Sequence, residues 1–153
     1  MTADEEFIPS VIATTASGSF PEVMSAGSAN ELFSKTLNDV TVDCVKAGAR
    51  MIGHIKANIR SVDDFLSMSS TTDDGNVRFR SMFMNDVKEY SMTINAIVYG
   101  LDRYRMAEII VSNMKRMLAG VEIEVHSEVG CEDPGCRDPL CQNKSHKRIN
   151  VNI

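Results

Sequence analysis

The sequence predicts an α+β fold of two layers: a mostly antiparallel sheet with two helices on one face, in the order α-β-β-β-β-α-β. Three observations lead there. Two stretches repeat apolar residues at intervals of three and four, several others alternate apolar with polar residues, and nothing shows the regular strand-helix alternation of a parallel sheet. The 153 residues, 43% hydrophobic and 24% charged, suit a single domain with a real core.

Residues 1–27 are rich in Ser, Ala, Thr, Gly and Pro and lack a sustained apolar period, so they read as a flexible arm. Ser28 followed by Glu31 has the form of a capping box, which opens a helix carrying Phe33, Leu37, Val40 and Cys44 on one stripe and ending near Gly48. The β-branched run Val40-Thr41-Val42 leaves a rival reading, a short helix and then a strand over 40–47. From Ile52 to Arg60 the period becomes two. Gly53, Ile55, Ala57 and Ile59 fall on one side, and Ile52, His54, Lys56, Asn58 and Arg60 on the other.

A short strand over 65–70 precedes Thr71-Thr72-Asp73-Asp74-Gly75, a set of turn formers that favours a hairpin. Val77, Phe79 and Phe83 then alternate against Arg78 and Arg80. A long strand follows over 89–99, with Tyr90, Met92, Ile94, Ala96 and Val98 on one face. Asp102 is placed to cap a second helix with Met106, Ile109, Ile110, Met114, Met117 and Leu118 at helical spacing, and Gly120 stops it. The strand over 121–126 points Val121, Ile123 and Val125 inward. The α+β domain is thus expected over 28–127, and a Cys-rich tail over 128–153.

The net charge is −5, and Asp4, Glu5, Glu6 and Glu22 place four of those charges in residues 1–28, where there is no Lys or Arg. The rest is nearly neutral, without the basic excess that counterion release from nucleic acid requires, so nucleic-acid binding is not expected. No run approaches the ~18 apolar residues of a membrane span, and the acidic start does not resemble a signal peptide, which leads to an expected cytoplasmic location. In that reducing compartment clustered cysteines point to a metal or redox site more than to a disulfide framework.

Cys131, Cys136, Cys141 and His146 stand each five residues after the last. Three thiolates and an imidazole are the donors that zinc and similar ions take in tetrahedral array. Pro134-Gly135 and Asp138-Pro139 supply turns that fold the chain back between ligands, with Asp133 and Asp138 positioned to accept backbone N–H groups there. Each gap holds four residues, wider than most gaps in a zinc knuckle, so the thiols free, joined in a reversible disulfide or holding an iron-sulfur cluster are the alternatives. His126 is a second candidate for the fourth ligand. Cys44, alone on an apolar stripe, reads as core.

A second constellation is cationic. His54, Lys56 and Arg60 share one side of their strand, and Arg78 and Arg80 the polar side of another; together they offer forked and titratable donors for a phosphate or carboxylate ligand. Thr93, Asn95 and Tyr99 join them if their strand presents the same face. The plainer reading pairs these cations with Glu122 and Glu124 across strands. A third makes the face a subunit interface through Ile52, Met82, Ile97 and Tyr99. The glycines form no phosphate loop and no nucleophile triad is legible, so whether the chain is an enzyme is left open. The leading expectation is a small metal-binding (zinc-like) accessory, adaptor or regulatory protein, with a protein partner or itself as the partner. The alternatives are an anion- or small-molecule-binding domain or enzyme, and a structural homo-oligomer with an incidental thiol tail.

Overall fold

A computed structural model describes residues 8–118, 120–127 and 149–151. In chain order these form β1 (Pro9–Met24), α1 (Ala26–Lys46), β2 (Met51–Ser61), β3 (Asp64–Ser70), β4 (Arg78–Ser81), β5 (Val87–Tyr99), α2 (Arg103–Met117), β6 (Glu122–Ser127) and β7 (Ile149–Val151). The fold is α+β. Six strands carry an antiparallel sheet and short β7 pairs with β6, in the spatial order β4-β3-β2-β5-β1-β6-β7. Because β5 lies antiparallel between β1 and β2, and β1 between β5 and β6, the two β-α-β units β1-α1-β2 and β5-α2-β6 interlock. That is the split β-α-β arrangement of ferredoxin-like sheets, here extended at one edge by β3 and β4.

The expected arm is where the sequence reading fails. Residues 9–24 are a strand, and a central one, pairing with β5 on one side and β6 on the other. Its inward positions are Ile12, Thr14, Ala16, Gly18 and Phe20. Three of the five are small or polar, so the alternation that marks other strands is faint, and ladder bonds to two neighbours help to hold the strand. Residues 9–24, expected in the arm, are therefore part of the sheet.

α1 starts one turn before the expected box. Ser25 is the N-cap, its Oγ accepting the Ser28 N–H at 3.2 Å. The β-branched run stays helical through Lys46. Thr36 and Thr41 are buried there and donate to Leu32 O at 2.9 Å and Leu37 O at 3.0 Å, so burial leaves neither hydroxyl unpaired. Gly48, at φ +107°, takes the left-handed conformation just past the end. In α2 Asp102 caps as expected, accepting the Arg105 N–H at 3.0 Å, while Met106, Ile109, Ile110 and Met114 are buried. Asn113 ties the helices together, donating to Asp43 Oδ2 at 3.0 Å and to Ile109 O at 2.9 Å.

A β-bulge moves one more residue. Ile52 pairs with Val98 and His54 with Ile97, so Gly53 is the extra residue and Ile52 turns inward beside Ile55, only 3% exposed. Ile52 therefore belongs to the core and not to the polar face. A Cβ on Gly53 would stand 2.8 Å from Ile97 O, which explains glycine there. Met82 and Met84 lie between β4 and β5, both exposed. Their neighbour Phe83 turns in to an aromatic group with Phe20, Phe33 and Tyr90.

Candidate functional site

Helices cover one face of the sheet, and strand register fixes what the other presents. Rows run straight across it. Ser69, Lys56, Asn95 and Ala13 are successive cross-strand partners, as are Ser67, Asn58, Thr93 and Thr15, and Phe65, Arg60, Ser91 and Ser17. β6 continues the last two rows with Glu124 and Glu122. Thr93, Asn95 and Tyr99 thus share the face of His54, Lys56 and Arg60.

Arg78 pairs with Ser69, placing it in the Lys56 row two strands away, about 10 Å between Cα atoms at ordinary strand spacing. Arg80 is the residue between the Met68–Phe79 and Ser67–Ser81 pairs, where the register shifts. Along β2, His54 and Arg60 stand about 7 Å and 13 Å from Lys56. Backbone placement therefore spreads the five candidates over a surface instead of focusing them on one point. The expected cross-strand pairs with Glu122 and Glu124 do not form on this sheet, because β5 and β1 separate β2 from β6. Ion pairs among the described residues lie on the helices: Lys35 with Asp39 at 2.8 Å, Arg116 with Asp39 at 3.8 Å and Arg105 with Glu108 at 3.0 Å.

At the β2–β3 end a cleft of about 570 Å³ is lined by Arg60, Ser61, Asp63, Asp64, Phe65, Ser81, Met82 and Met84. Asp64 shapes it. Its carboxylate accepts the N–H groups of Phe65 at 2.9 Å, Met84 at 2.9 Å and Asn85 at 2.8 Å, which pins the β4–β5 connection to the turn. Desolvation opposes ionisation, but those N–H groups outweigh it and hold the carboxyl below its ordinary range. Asp63 precedes it at φ +53°. Sequence reasoning missed this cleft; Asp63-Asp64 between two apolar-polar stretches was its only signal.

The metal candidates Cys131, Cys136, Cys141 and His146 lie outside the described residues. What the structure places is the chain on either side of them. β6 and β7 pair antiparallel with Val125 opposite Ile149, so the segment carrying all four donors leaves and rejoins the sheet on adjacent strands. His126 is opposite Ala13 on β6. Among the described residues no three His, Cys, Asp or Glu side chains gather as a ligand set. Cys44 is buried in α1, and burial, with a smaller contribution from Asp43, pushes its thiol up to about 11, so it stays a protonated core residue and not a thiolate ligand.

No described helix is long and apolar enough to cross a membrane. No protein-family model, curated protein or solved structure matches the chain.

Proposed function

We propose that this is a small metal-binding accessory protein that holds a zinc-like ion through Cys131, Cys136, Cys141 and His146. The observation that carries the reading beyond donor count is the pairing of Val125 with Ile149. Bringing the ends of a long segment together costs conformational entropy, and strand pairing has already met that cost before a metal arrives. Turns at Pro134-Gly135 and Asp138-Pro139 then have only to fold the interior of the loop toward one centre.

Three thiolates and one imidazole fit zinc in preference to a hard, oxygen-seeking cation. Four protein ligands leave no position for water or substrate, so the ion would be structural or exchangeable and the protein an adaptor or regulator, not a hydrolase. Metal content of protein purified without chelator, compared with a Cys136→Ser, Cys141→Ser variant, tests the proposal.

A further inference from the structure

The open face of the sheet is organised about a line, and the line runs between β5 and β1. On either side Ser91 meets Ser17, Thr93 meets Thr15 and Ile97 meets Val11. One strand further out, the row through Ser91 and Ser17 ends in Arg60 on β2 and Glu122 on β6. In these three rows like faces like, whereas Asn95 meets Ala13 in the row between the last two; at the rim of the Ser91–Ser17 row, Arg60 stands against the opposite charge of Glu122.

We propose that this face is an interface between two copies of the chain, related by a two-fold axis parallel to the strands and lying between β5 and β1. Rotation about that axis lays hydroxyl rows over hydroxyl rows and Ile97 over the partner subunit's Val11. It also sets Arg60 across from the partner subunit's Glu122, twice by symmetry. Within one chain Arg60 and Glu122 are three strand spacings apart, about 14 Å, and neither forms an ion pair with a described residue. Short Ser and Thr side chains let two sheets approach to the ~10 Å of face-to-face packing, a gap that an Arg and a Glu reach across.

The end of the face away from the charges supplies apolar area. Val11, Ile97 and Tyr99 are half-buried there, and Met51, opposite Tyr99, is 50% exposed. The four central strands over nine residues offer a footprint of about 600 Å². That is below the ~800 Å² per partner of a standard interface, so the dimer depends on concentration.

Sedimentation velocity of the full chain in reductant, from micromolar to millimolar protein, reads the association. The expected species at high concentration has twice the 16.9 kDa chain mass. Arg60→Glu alone and Glu122→Arg alone each set like charges face to face and should weaken the dimer by about tenfold. The double swap restores it, and because the two sites are far apart in one chain, rescue arises only between chains. A wild type that stays monomeric throughout, singles that dimerise as well as wild type, or a double swap no better than the singles overturns the proposal. Should a single swap fail to fold, Ile97→Lys carries the test: it is folded by circular dichroism and monomeric, and a dimeric Ile97→Lys overturns the proposal equally.

Discussion

The Tyr90 hydroxyl is buried without a hydrogen-bond partner among the described residues, and its room is made by Gly18, where a Cβ would lie 2.5 Å from the phenol oxygen. A hydroxyl left unpaired in the core costs about 1–3 kcal/mol, so Tyr90→Phe is expected to keep or raise stability in urea unfolding. Gly18→Ala is expected to lose about 1–3 kcal/mol through overpacking, and part of that loss should return in the Gly18→Ala, Tyr90→Phe double variant. Burial also raises the phenol from its ordinary value of 10.0 to about 12 and the Cys44 thiol from 9.0 to about 11. Both groups hold their protons more tightly when folded. The unfolded chain therefore releases them first, and stability present below pH 9 falls as pH rises through 11 and then 12. The thiol should account for about 2 kcal/mol of the loss at pH 11, and Cys44→Ala should flatten that part of the unfolding profile while lowering its baseline.

At the scale of elements, Asn30 shows how a helix fixes a connection. Buried in α1, it donates from Nδ2 to Phe83 O at 3.1 Å and accepts the Phe83 N–H at 2.9 Å. Asn30→Ala leaves two backbone groups unpaired and is expected to cost roughly 2 kcal/mol or more, with faster hydrogen exchange at Phe83 as the local readout. The elements legible in the sequence are those whose side chains do the holding. β5 and α2 bury long apolar rows at periods of two and 3.6, and both stand as expected. β1 was illegible because Thr14, Ala16 and Gly18 interrupt its inward row between Ile12 and Phe20, leaving much of its hold to two hydrogen-bonded ladders that are invisible in sequence. The Gly53 bulge was missed for a related reason. Strict alternation sends Ile52 outward, and a single inserted residue brings it into the core.

For the whole molecule, the interlocked topology explains why the candidate site was only partly legible. Periodicity put His54, Lys56 and Arg60 on one side of a strand, but which strands lie beside β2 depends on long-range order. The sheet places β5 and β1 between those cations and Glu122 and Glu124, separating charges that the sequence suggested would pair. The same order leaves β6 near the far edge, with the four soft donors between it and β7. The described residues build a core of their own: Ile12, Phe33, Leu37, Ile55, Met92, Ile94, Met106 and Ile110 are fully buried between sheet and helices. Losing a metal should thus release the β6–β7 connection and leave the domain folded. The most direct measurement is elemental analysis of the chain purified without chelator, beside its Cys136→Ser, Cys141→Ser variant. About one zinc-like ion per chain in the native protein and none in the variant is the predicted result; no metal in the native protein, or equal metal in both, would contradict it.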